Sequence, residues 1–181
     1  MSTSTEPPNP DSRGLFGLFP QAEYMAYAEL VSDEQVPEPY HSLLVNDRHM
    51  TVTVETHHGS PVDVRVLQEY RGQNAYARKI LLERQSDHRV VMFGLVRIHF
   101  RFCNDEVREE ILSGTIPMGR VLINHNILRR IEPTAFVRVV PGPGLMKWFG
   151  LQTPRPTYGR LALIHCDGKP AIELMEIVTP E

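Results

Sequence analysis

Two charges stand in rows where a sheet wants apolar groups. In a β-strand alternate side chains share a face, so in Tyr76-Ala77-Arg78-Lys79-Ile80-Leu81-Leu82 the guanidinium of Arg78 shares its face with Tyr76, Ile80 and Leu82. In Ile172-Glu173-Leu174-Met175-Glu176-Ile177-Val178, Glu176 falls in the row of Ile172, Leu174 and Val178. Lys79 and Glu83 take the opposite face of the first strand. A lone buried ion costs several kcal/mol unless a partner or a ligand compensates it. A chain with such rows must fold around an interior holding both charges, and the pattern points to a small, polar, anionic ligand there.

The rest of the chain reads as one α+β domain of 181 residues, long enough to bury a substantial core. Residues 1–14 are rich in Ser, Thr, Pro and Asn and are expected to form a disordered tail, with the folded domain over 15–181. Ala22 to Val31 has helical spacing, and Tyr40 to Asn46 suggests a second short helix. From Met50 the period becomes two: Met50-Val52-Val54 and Val62-Val64-Val66 predict a hairpin around His57-His58-Gly59-Ser60-Pro61. Ala75 to Glu83 and Val90 to Phe100 predict a second hairpin. Asn104 to Ser113 is an amphipathic helix ending at Gly114, and Thr115-Ile116-Pro117 reads as the start of another, with Thr115 as its cap. A strand over Leu128–Val140 and a covering segment with Trp148 and Phe149 follow. A terminal hairpin then turns at Asp167-Gly168. The sum is six or seven mostly antiparallel strands with flanking helices.

Composition excludes several classes. The net charge of −3 carries no basic excess for nucleic acid or a membrane surface. No apolar run approaches the roughly 20 residues of a membrane span. The N-terminus lacks the apolar core of a signal peptide, so a cytoplasmic protein is expected, with Cys103 and Cys166 as reduced thiols or a single disulfide. The eight histidines include no HExxH motif and no Cys/His cluster at metal spacing. Neither a metal nor a cofactor is expected.

Four pieces in order carry a family resemblance: Met50; the Arg78 strand; Ile116-Pro117-Met118-Gly119-Arg120-Val121-Leu122; and Tyr158-Gly159-Arg160, Asp167-Gly168-Lys169-Pro170 and Leu174-Met175-Glu176-Ile177-Val178-Thr179-Pro180. Over residues 40–180 their order and spacing resemble the bacterial chorismate pyruvate-lyases that make 4-hydroxybenzoate. That fold is related to the effector-binding domains of GntR-class repressors. The resemblance implies a six-stranded antiparallel sheet with an internal pocket closed by helical flaps. It implies that Arg78 grips an aromatic acid's carboxylate, aided by backbone near Met50 and Met118, with Glu176 at the far end of the ring. The lyases place a second arginine on the next strand. Here Gly94 or Leu95 falls there, and Arg97 one step along is the candidate stand-in.

Two functions follow from the residues and the resemblance. In the first, the chain eliminates pyruvate from chorismate, with Glu176 and Arg97 catalytic and Arg78, Met50 and Met118 binding substrate. In the second, the same pocket binds a small aromatic carboxylic acid without chemistry. Glu176 is open to two readings of its own: isolated, its pKa would rise to suit a general acid; paired with Arg78, it would fall.

Overall fold

The computed structural model describes residues 9–127 and 129–181. Seven strands form one antiparallel sheet in the order β1-β5-β6-β7-β4-β3-β2: β1 Met25–Val31, β2 Val62–Arg71, β3 Ala75–Arg84, β4 Val90–His99, β5 Arg129–Pro141, β6 Thr157–Cys166 and β7 Lys169–Val178. Six helices accompany it: α1 Leu15–Leu18, α2 Tyr40–Leu44, α3 Met50–His58, α4 Asp105–Ser113, α5 Met118–Asn124 and α6 Pro143–Phe149. The expected α+β architecture is present, with β1 at the edge as a seventh strand.

Both faces of the sheet are covered. On one face Tyr76, Val96, Ile98, Ile164, Ile172 and Leu174 pack under α4 and α5. Ile80, Leu82, Met92 and Val178 continue that face under α2 and α3. On the opposite face Ala77, Leu81, Phe93, Leu95, Met175 and Ile177 meet α1, Phe19, Tyr24 and α6. Trp148 of the covering segment stacks on Phe93 with ring centroids 5.3 Å apart.

Two sequence expectations are overturned. The hairpin beginning at Met50 is not formed, because Met50 to His58 is helix α3. Met50, Thr51 and Val54 are its buried residues, a helical spacing that burial imposes over the local β preference. The β-branched threonines are accommodated by bonding back to the preceding turn: Thr53 Oγ1 donates to His49 O at 3.2 Å and Thr56 Oγ1 to Val52 O at 2.8 Å. Gly59, at φ +61°, closes the helix in the left-handed conformation, so the expected turn is a helix C-terminus. Conversely, the helix expected within Ala22–Val31 is mostly strand β1, which pairs with β5 along the edge. Helix α5 also starts later than expected, with Pro117 rather than Thr115 at its N-cap.

The other boundaries follow local chemistry. Asn104 caps α4 by accepting from Val107 N at 2.9 Å, and Gly114 at φ +67° ends it. Of the expected tail, residues 1–8 lie outside the described residues. Within 9–14, Asp11 accepts from the backbone N–H groups of Gln73 and Asn74 at 2.7 and 2.9 Å, and Pro10 is buried.

Gly159 marks where β6 crowds β7: a Cβ there would lie 2.6 Å from the Glu176 carbonyl oxygen. Gly159→Ala is expected to cost about 1–3 kcal/mol of stability through this forced contact, read from urea unfolding midpoints.

Candidate functional site

Antiparallel registry brings the charged rows together. Arg78 opposes Val96, which opposes Leu174; Gly94 opposes Glu176, which opposes Arg160 on β6. Arg78, Glu176 and Arg160 therefore share the face covered by the helices. A small cavity of about 30 Å³ lies between this face and the helices, lined by Met50, Met118, Gly94, Glu176, Arg160 and His49 among others. That is room for one or two waters. Of the residues expected at the site, Met50, Met118 and Glu176 border the cavity. Arg78 does not line it, although its same-face strand neighbour Ile80 and its cross-strand partner Val96 do.

Glu176 is paired, but with Arg160 rather than Arg78. Arg160 Nε donates to Glu176 Oε2 at 2.8 Å, and both side chains are nearly sealed from solvent. The other Arg160 donors are spent on backbone: Nη1 on Leu44 O (3.3 Å) and Asn46 O (3.0 Å), Nη2 on Arg48 O (2.9 Å). One guanidinium thus neutralises Glu176 and holds the loop from α2 to α3. Arg160 was legible in the sequence: it shares a row with Tyr158, Ala162 and Ile164. The signal is weak because Leu161 and Leu163 make the other row apolar too.

Arg97 does not reach the site. Its position in the alternation puts it on the opposite face, across from Ala77 and Glu173. There Nη1 donates to Glu173 Oε2 at 2.9 Å and Nε to Pro10 O at 3.0 Å. It cannot stand in for a second arginine beside Glu176; among the described residues Arg160 occupies that place.

Arg78 is the uncompensated charge. It is fully buried, and its Nη1 donates to Ile111 O at 3.3 Å, near the C-terminal end of α4. A helix C-terminus carries partial negative charge, which favours a cation there. Nε and Nη2 have no hydrogen-bond partner among the described residues. Burial lowers the pKa of the guanidinium, opposed by the nearby Tyr76 and Glu69, yet an arginine so placed stays charged. Glu69 is turned to other partners, accepting from Tyr76 Oη at 2.7 Å and from Arg71 at 2.9 Å.

The cavity wall at His49 separates it from an outer cleft of about 650 Å³ lined by Arg48, Arg129, Arg130, Asp47 and Asn126. His49 and Ile131 border both spaces. The imidazole packs against Gly119 of α5, where an added Cβ would lie 3.2 Å from His49 Cβ. Its Nε2 accepts from Arg129 Nε. Burial, with Arg129 and Arg160 alongside, pulls the His49 pKa down to about 4.

With this geometry in view, comparison with known proteins gives the following. In sequence the chain matches no family model and no curated protein. In structure it is similar to the ligand-binding domain of a protein described as a GntR-family transcriptional regulator from Bordetella bronchiseptica, with TM-score 0.50 and 12% identity over 65% of this chain and 85% of that one. It is similar also to PhnF from Mycobacterium smegmatis, with TM-score 0.56 and 10% identity over 72% of this chain and 63% of that one. The fold is that of a GntR-type ligand-binding domain. No helix among the described residues is long and apolar enough to cross a membrane.

The two buried arginines differ in kind, and mutation separates them. Arg78→Met removes an unpaired buried charge and is expected to leave the ligand-free protein as stable or up to about 4 kcal/mol more stable, whereas Glu176→Ala strands Arg160 and costs about 3–5 kcal/mol, both by chemical denaturation. For His49 the folded pKa lies below the unfolded value, so the unfolded chain binds more protons. The stability due to the neutral ring is complete above about pH 6.5 and lost as pH falls through about 4. His49→Gln should flatten the stability–pH curve across that window, by about 3 kcal/mol at most.

Proposed function

We propose that this chain is a binding module for a small carboxylic acid, an aromatic one in the first instance, received between the sheet and helices α3 and α5. The observation that carries this reading is the buried guanidinium of Arg78, whose Nε and Nη2 lack partners among the described residues. A carboxylate accepts two parallel N–H bonds from an arginine edge, and Nε with Nη2 is such an edge. The ligand would supply both the missing hydrogen bonds and the missing counter-charge. The fold shared with a domain described as ligand-binding supports the same use of the interior.

The cavity offers only water-sized space, about 30 Å³, whereas a cavity of roughly 150 Å³ takes a benzene ring. Binding therefore requires α3 and α5 to part. The seam where His49 meets Gly119 is the natural place, because the outer cleft lies directly behind it. Arg48, Arg129 and Arg130 give that cleft a positive lining suited to an approaching anion.

The lyase reading rests on Glu176 facing the same interior as Arg78. Its Oε2 is taken by Arg160, whose remaining contacts are to backbone, so the pair as placed serves to hold the lid loop. This favours binding over elimination of pyruvate.

Calorimetric titration with 4-hydroxybenzoate, benzoate and uncharged benzamide tests the reading, with pyruvate release from chorismate followed in parallel. The carboxylates should bind and benzamide should not. Arg78→Met should weaken binding by about ten- to a hundredfold, the worth of hydrogen bonds to a charged group. No pyruvate should appear. Pyruvate release abolished by Glu176→Gln would restore the lyase, and carboxylate affinity unchanged in Arg78→Met would sink the proposed grip.

A further inference from the structure

At the C-terminal end of α3, away from the cavity, His57, His58 and Glu181 bring three metal-ligand atoms within 4.8 Å of one another. Glu181 Oε1 lies 3.2 Å from His57 Nε2 and 4.0 Å from His58 Nε2. The imidazoles meet edge-on with ring centroids 4.7 Å apart, and both Nε2 atoms face the same carboxylate oxygen, Glu181 Oε1. We propose that these three side chains form a site for a borderline divalent transition metal, zinc in the first instance, completed by water.

The distances suit that ion. Four ligands about 2.0–2.1 Å from a tetrahedral zinc stand roughly 3.3 Å from one another. The His57–Glu181 separation already meets this, and the His58–Glu181 separation needs less than an ångström of closure. The donor set of two imidazoles and a carboxylate is one zinc commonly takes with water in the fourth position.

Glu181 is held for the role from both sides of its backbone. Its N–H donates to Tyr40 Oη at 2.9 Å, and its carbonyl oxygen accepts from Arg155 Nη2 at 2.6 Å. Among the described residues its carboxylate has no lysine or arginine partner, only the two imidazoles. The nearby Arg84 is itself paired with Asp87 at 2.5 Å. A cation at this place also meets the negative end of the α3 dipole.

The position gives the site a consequence. Helix α3 carries Met50 at its N-terminal end over the cavity and His57-His58 at its C-terminal end; Glu181 follows β7, the strand that bears Glu176. A bound metal ties the lid helix to the sheet at the end remote from the His49–Gly119 seam.

Calorimetric titration of the full chain with zinc chloride, together with melting curves with and without zinc, tests the site. One zinc ion per chain should bind at micromolar free metal and raise the melting temperature. His58→Ala and Glu181→Gln should each weaken binding by at least the roughly ten- to hundredfold that loss of even an outer partner costs, while His41→Ala, at a half-buried histidine on α2, should not. These substitutions lie near the surface, and circular dichroism of the metal-free variants reports whether the fold is intact. Absence of stoichiometric binding at micromolar zinc overturns the proposal, as does binding that survives the double variant H58A/E181Q.

Discussion

The lid over the interior hangs on one side chain. Arg160 reaches from β6 to Glu176 on β7 and to three carbonyl oxygens, one at the end of α2 and two in the loop between α2 and α3. That loop delivers the chain to His49 and Met50, which wall the cavity. Without a carboxylate beside it, a guanidinium this deeply buried would be a liability, and without the guanidinium the loop would lose its anchor. The ion pair therefore does two jobs: it settles the charge of Glu176 and fixes where α3 begins.

The sheet buries three cations, each accommodated differently. Arg160 is matched by a carboxylate. Lys79, on the opposite face, sits among the rings of Phe19, Tyr24 and Trp148 at 5.6–6.0 Å and reaches Glu23 at 3.5 Å, so aromatic faces and one exposed acid carry its charge. Arg78 has only the end of α4 and two neighbours at a remove. Among the described residues Arg78 is the buried charge whose donors lack partners, the observation on which the proposed carboxylate grip rests.

Much of this arrangement was readable in the residue pattern, and the failures have physical causes. The hairpins of β3 with β4 and of β6 with β7 declared themselves because alternation and turn residues agreed, as at Asp167-Gly168. Arg78 and Glu176 were found because a charge in an apolar row is a local signal. Their pairing was not, since which row faces which across the sheet is a matter of register: Glu176 is one strand from Arg160 and two from Arg78. Met50 to Glu55 misled because β-branched residues prefer strands, while burial of Met50, Thr51 and Val54 against the sheet demanded a helix. The cover that Leu15 to Tyr24 lays over the opposite face of the sheet escaped notice for a related reason. Nothing in the sequence of Leu15 to Tyr24 says that it will lie across Lys79.

Gly94 holds a further consequence. It sits on β4 directly across from Glu176 on one side and Ile80 on the other, and a Cβ there would already come within 3.1 Å of Ile80 and Met92. With no Cβ at that point, the Ile80 and Met92 side chains close over the sheet beside Glu176 and form that part of the cavity wall. A longer residue at this position would redraw the chamber more than any change at its rim. The shape of this interior is thus set as much by an atom left out of the sheet as by the groups that line it.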